Sequence, residues 1–376
     1  MDIIRDKINR IQDVEVRERY EENLKKFEER IKLLGVGSNN LILFLGAGVS
    51  CNYGIKMWKK LAEELVKKIE ETKLKTFLES KDLKYKIQIA FSELSARESL
   101  LEVLKELVLY EREREILDNK DLNGNHIIQS LNKFKNNDNV KYITTNIDRL
   151  LEIYLNERTA LFPESNSTDK IIKLHGCIND IESLVFTPKQ YAKMYSELDK
   201  DKIEDIFSKA TVLFVGKSLE DEIIQMLFKS EKLNDIYLLK HYDENSDSEL
   251  ELKCDLAYYK DININVLPYT DYLILPELLD KVYYKIGVYK SVQDISKLRI
   301  DHFLEKSELA NSINLLLEEV KRIGVDKFRN NHSNILKDIK FNEKKIWRNL
   351  WSGSIEKYFE LKKINDGNLE DVWGKI

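Results

Sequence analysis

Cysteine and proline are scarce in this chain: three Cys and four Pro in 376 residues. Cys51, Cys177 and Cys254 are far apart and odd in number, so they form no disulfide framework. No CxxC pair exists, so no cysteine zinc module is expected. No apolar run is long enough to cross a bilayer. The opening MDIIRDKINR lacks the apolar core of a secretory signal. A reduced, cytoplasmic protein without membrane contact is expected. An excess of one charge sign is missing as well. Charged residues make up 34% of the chain, yet the net charge is only −5. Such a balance gives no overall footprint for nucleic acid. No P-loop pattern GxxxxGK[ST] occurs.

Apolar residues make up 43%, enough for one large core plus appendages. Residues 1–35 read as an N-terminal helix. Tyr20, Leu24, Phe27, Ile31 and Leu34 recur at helical spacing and make one apolar stripe. An oligomerisation helix and a helix packed on its own domain both fit. Short apolar runs follow: LILFLG, VKYITTN, IIKLHG, TVLFVG, DIYLLK and INVLPY. Strands covered by helices on both faces read this way. Strand and helix alternate, so the expected class is α/β: a Rossmann-like, doubly wound parallel sheet. It fills 36–290, with a helical insertion over about 60–139. Residues 291–376 read as a helical C-terminal domain holding Trp347, Trp351 and Trp373.

The stretch FLGAGVS raises the functional question. An apolar strand ends at Gly46 with almost no side chain. Glycines at such a strand end let a pyrophosphate approach the backbone, and the following helix N-terminus offers N–H groups. A glycine pair in a tight turn is the plainer account. The other strand ends add weight. YITTNID brings Thr145, Asn146 and Asp148, IKLHGC brings His175, and LFVGKSLED brings Gly216 and Ser218. All would converge on one crevice.

Taken in order, GAGVS, TTNID, KLHG and VGKSLED resemble the sirtuin family over about Leu41 to Pro268. The resemblance implies NAD as substrate and cleavage of its nicotinamide–ribose bond. It implies that Gly46, Ala47, Gly48 and Ser50 hold the phosphates. Gly216 and Ser218 would lie on the adenosine side, and Thr145 would join the cofactor-binding residues. Asn146 and Asp148 would sit at the nicotinamide ribose and carboxamide, and His175 would be the catalytic histidine. Two departures from the protein-deacylating members stand out. The paired CxxC zinc motif is absent, so no metal is expected. The deacylase pattern GIPxFR reads Gly54, Ile55, Lys56, Met57, Trp58, Lys59.

GCINDIESLVFTPKQYAKMY and GIKMWKKL resemble instead the sirtuin-like domains of bacterial anti-phage systems, which deplete NAD. The resemblance implies an NAD hydrolase, a homo-oligomer, and control by a partner such as a HerA-type ATPase. A zinc-free deacylase or ADP-ribosyltransferase, and a non-catalytic NAD or ADP-ribose sensor, are the rival readings. Several residues have two accounts each. Asp148 fixes the carboxamide or caps the next helix. Ser50 touches phosphate or caps its helix. Trp58 walls the nicotinamide pocket or packs a helix.

Overall fold

The computed structural model describes residues 1–35, 40–97, 99–108, 126–157, 159–162, 164–165, 168–196, 206–207, 210–216, 235–243 and 248–297, with Leu315 and Arg322. Ser218 and nearly all of the expected C-terminal helical domain lie outside these residues. Two compact units divide the chain. The first takes in Met1–Glu28 and Asn39–Lys281 and holds the whole sheet; the second takes in Glu29–Ser38 and the chain from Val282 on.

The sheet has seven strands: β1 (Asn40–Leu45), β2 (Val140–Thr144), β3 (Thr159–Leu161), β4 (Ile171–Lys173), β5 (Ala210–Val215), β6 (Ile236–His241) and β7 (Ile264–Tyr269). Their order is β3-β4-β2-β1-β5-β6-β7. Every pairing is parallel. The α/β, Rossmann-like sheet expected from the alternating pattern is the fold found. β1 and β5 are buried almost end to end, which explains their unbroken apolar runs. Phe44 and Phe214 stack across them at 4.5 Å.

The N-terminal segment is two helices, α1 (Asp2–Asn9) and α2 (Val14–Gly35), not one. Asp13 makes the break. Its carboxylate accepts from the Glu15 and Val16 N–H groups at 3.0 and 3.1 Å, capping α2. Within the first unit the stripe is core. The Tyr20 hydroxyl donates to the Leu252 carbonyl at 2.9 Å, and Phe27 meets Tyr237 at 4.8 Å between centroids. That part of the stripe packs on its own domain rather than presenting an oligomerisation face.

Short helices follow β1: α3 (Ala47–Cys51), α4 (Trp58–Lys67), α5 (Thr72–Glu79), α6 (Leu83–Ala96), α7 (Leu100–Leu107) and α8 (Ile127–Asn132). Leu61, Leu65, Ile87, Leu94 and Leu104 build a helical layer whose core also takes in Ile147, Ile178 and Phe186. The layer therefore sits on the loops after β2 and β4. Truncating one such leucine to alanine costs about 2–5 kcal/mol. Among the described residues the further α-helices are α9 (Leu150–Leu155), α10 (Pro188–Ser196), α11 (Ser248–Asp261) and α12 (Leu275–Lys297).

Candidate functional site

Topology fixes where to look. β1 lies between β2 and β5. The chain leaves β1 toward β2 and later returns on the other side as β5. Connections from β1 and β5 thus run in opposite directions. The crevice at their carboxyl ends is the switch point where open parallel sheets bind ligands. Gly46 directly follows β1 and Gly216 directly follows β5.

The two glycine turns meet backbone to backbone. The Gly48 N–H donates to the Gly216 carbonyl at 2.8 Å, and the Gly46 N–H donates to the Val215 carbonyl at 3.0 Å. A Cβ on Gly48 would stand 2.8 Å from the Gly216 Cα; one on Gly216 would stand 2.8 Å from the Val49 nitrogen. Gly216 also holds φ at +63°, a region costly for any other residue. Gly216→Ala is expected to cost about 1–3 kcal/mol and to weaken NAD binding. Thermal unfolding and calorimetric titration of NAD check both effects.

This geometry changes the role expected for the loop N–H groups. Those of Gly46 and Gly48 are committed to β5 and its turn, and that of Val49 to the Gly46 carbonyl at 3.0 Å. The glycines serve first to let two turns close on each other. Ala47, half-buried, opens α3 beside that contact. Ser50 is only 2% exposed and lies inside α3, whose N-cap is Gly46. It caps nothing; it is a link to the β2 loop.

That link runs through Asn146. Its Nδ2 donates to the Gly46 carbonyl at 3.0 Å and to the Ser50 Oγ at 2.9 Å. A carbonyl can only accept, so the amide orientation is fixed, and both N–H groups are committed. The Oδ1 is the end left for a ligand. Thr144 braces the loop. Its Oγ1 donates to the Leu45 carbonyl and accepts from the Asn146 N–H, both at 3.0 Å. The Thr145 N–H donates to the Leu45 carbonyl at 3.4 Å. Ser50, Thr144, Asn146, Asp148, Ile128 and Glu152 are among the residues lining one small cavity.

Asp148 is buried, and its Oδ1 accepts from the Leu150 N–H at 3.1 Å. The capping account of this residue is therefore seen directly. Burial pushes its carboxyl above the ordinary range, against the pull of Lys173 and a hydrogen bond with Ser50. Lys173 is itself fully buried. Its ammonium donates to the Asp148 carbonyl and pairs with Glu152, and lies 3.6 Å from the Cys177 sulfur. Burial alone would push Lys173 down, but Glu152, then Cys177 and Asp148, hold it above its usual value. Burial pushes the Cys177 thiol up, with Lys173 opposing. A raised thiol is a poor nucleophile at neutral pH.

Strand register places His175 beside Asn146. Thr144 pairs with Lys173, so Asn146 and His175 each stand two residues past a paired position on adjacent strands. Parallel neighbours run about 4.8 Å apart. The Leu174 N–H donates to the Thr144 carbonyl at 2.8 Å, which extends the pairing. His175 is 4% exposed and is not among the residues lining the small cavity. Its Nε2 is 3.3 Å from the Tyr191 hydroxyl. After His175, Gly176 holds φ at +77°, and a Cβ there would collide with the Ser183 carbonyl. Trp58 packs in the helical layer: it stacks on Phe186 at 4.9 Å with 5° between planes.

Sequence reasoning missed three groups here. Tyr191 was hidden in a helix. Lys173 stands in KLHG two residues before the histidine, where it reads as a solvated charge at a strand end. At the carboxyl ends of β6 and β7, His241 stacks on Tyr272 at 4.1 Å and meets Tyr269 edge-on at 5.6 Å. Among the described residues, no cluster of His, Cys, Asp or Glu is placed to hold a metal ion, and no helix is long and apolar enough to cross a membrane.

Residues 140–242 match the family model of the SIR2-like domain, a stretch holding Asn146, His175 and Gly216. No curated protein matches the chain. That match takes in the carboxyl ends of β2, β4 and β5, and residues 140–242 are similar to the SIR2-like domain, a type of domain that uses NAD as substrate.

Proposed function

We propose that this protein hydrolyses NAD to nicotinamide and ADP-ribose. The observation that carries the reading is Asn146, pinned by Gly46 and Ser50 with its Oδ1 left as acceptor, one strand from His175. Nicotinamide leaves as a neutral molecule, so cleavage needs no strong acid. The C1′–N bond breaks with its electron pair going to the ring nitrogen, and an oxocarbenium-like ribosyl group remains. Asn146 Oδ1 accepts from a ribose hydroxyl or from the attacking water. His175 takes the proton as the water oxygen bonds C1′. Gly46, Ala47, Gly48 and Gly216 form the floor on which the pyrophosphate rests, with Thr145 bracing that floor and Ser218 on the adenosine side.

Depleting NAD in this way suits an effector of anti-phage defence in the cytoplasm. Such an enzyme requires restraint. A homo-oligomer, or a separate partner such as a HerA-type ATPase, would supply it.

The test is direct. The full chain is incubated with NAD, with and without an acetylated peptide, beside His175→Ala. Nicotinamide and ADP-ribose are followed by chromatography. Peptide-independent release that is lost in the variant is expected. Release only with peptide, yielding an O-acylated ADP-ribose, would replace hydrolysis with deacylation. Calorimetric binding of NAD with no turnover would point to a sensor.

A further inference from the structure

We propose that Tyr191 determines which acceptor reaches the ribosyl carbon, admitting water and keeping larger nucleophiles out. The inference rests on the NAD-cleaving reading above. The Tyr191 hydroxyl lies 3.3 Å from His175 Nε2, and the two rings meet edge to face at 5.4 Å and 83°. The imidazole is buried and the phenol half-buried, so the phenol is part of what covers the histidine.

This cover is held firmly. Thr187 and Gln190 form a reciprocal cap at the start of α10, with Pro188 between them. The Gln190 Oε1 accepts from the Phe186 and Thr187 N–H groups at 2.9 and 2.8 Å, and the Gln190 N–H donates to Thr187 Oγ1 at 3.3 Å. The Tyr191 N–H donates to the Thr187 carbonyl at 2.9 Å. Just upstream, the Val185 N–H donates to the His175 carbonyl at 3.2 Å, and Phe186 stacks on Trp58. The cap fixes the backbone from which the Tyr191 side chain reaches His175.

Its consequence is steric and chemical. One edge of the imidazole is already covered by the phenol ring, so only a small acceptor fits against the ribosyl carbon. In the transfer the acceptor oxygen bonds C1′, the C1′–N pair goes to nicotinamide, and the acceptor proton goes to His175. Water gives ADP-ribose; methanol would give O-methyl-ADP-ribose.

The full chain, Tyr191→Phe and Tyr191→Ala are given NAD in buffer containing methanol, and both products are quantified by mass spectrometry. Tyr191→Ala is expected to raise the methyl product relative to ADP-ribose on the order of tenfold, the discrimination one methyl group allows. KM for NAD should stay near the parent value. Tyr191→Phe keeps the ring, so it should keep the parent product ratio. An unchanged ratio in Tyr191→Ala overturns the proposal. A parent protein that releases no nicotinamide defeats the hydrolase reading instead. The cover is then read without NAD, as the rate at which diethyl pyrocarbonate modifies His175. Faster modification in Tyr191→Ala supports the cover; an equal rate overturns it.

Discussion

On the proposed hydrolase reading, Asn146→Ala is expected to stop nicotinamide release while the protein still folds and binds NAD: kcat should fall by about 10²-fold or more, and KM should move by about threefold at most. The argument is geometric. Both N–H groups of the carboxamide are tied to Gly46 and Ser50, so the side chain cannot turn, and Oδ1 alone faces its task. A group fixed before the substrate arrives stabilises a developing charge without reorganising. Two hydrogen bonds go with the side chain, at about 1 kcal/mol each, which a domain with this core tolerates. Asn146→Asp separates the two ends of the amide. It keeps an acceptor oxygen but sets a second one against the Gly46 carbonyl. A smaller loss of kcat with a larger loss of stability is expected. Steady-state kinetics beside thermal unfolding reads both, and an Asn146→Ala variant within about threefold of the parent kcat would sink the assignment.

Lys173→Met should be the most damaging single change to the fold, lowering stability by about 3–5 kcal/mol, roughly 10 °C in unfolding midpoint. The ammonium has no exposed surface, and it is the partner of Glu152, whose Oε2 is buried with no hydrogen bond. Removing the lysine strands a carboxylate inside the protein and frees the Asp148 carbonyl. Replacing both members, as Lys173→Met with Glu152→Leu, removes the charge together with its partner. Most of the stability should return, because an apolar pair of similar volume is often no worse than a buried ion pair. If the double variant is as unstable as the single one, the pair is not what holds the β2 loop to β4. Activity need not return with stability, since the loop bearing Asn146 has lost its tether.

Much of this was legible in the chain's own letters. Four of the six strand runs read from the sequence appear within one residue of their expected ends, because strands buried on both faces cannot hide their composition. VKYITTN and IIKLHG are the exceptions at their carboxyl ends, stopping at Thr144 and Lys173. β3 went unseen. Its three residues, Thr159–Leu161, are all half-exposed and carry no periodicity. The break between α1 and α2 was written in Asp13, but a capping aspartate inside a long helical pattern looks like any other charge. Lys173 was the clearest missed signal: a charge in an apolar strand calls for a partner, and Glu152 supplies it from 21 residues earlier in sequence. Tyr191 needed the Thr187–Gln190 cap to be read as one, which TPKQY does allow. The His241 and Tyr272 stack joins the ends of different elements, and no local pattern announces such a meeting. Likewise, that the glycine N–H groups bond to β5 and its turn depends on the order of strands, which the alternating pattern alone leaves open.

The closure of Gly48 against Gly216 also sets a moment in the life of the nascent chain. β1 is among the earliest parts of the domain to be made, yet its second neighbour, β5, begins only at Ala210. Until that strand leaves the ribosome, Gly46 has no Val215 carbonyl to bond and the first glycine turn has nothing to rest on. At about 5–20 residues per second, that is a wait of many seconds. An unfinished chain therefore carries Asn146 and His175 but not the floor between them. A polypeptide whose mature form consumes NAD, as proposed above, would thus be harmless throughout most of its own synthesis.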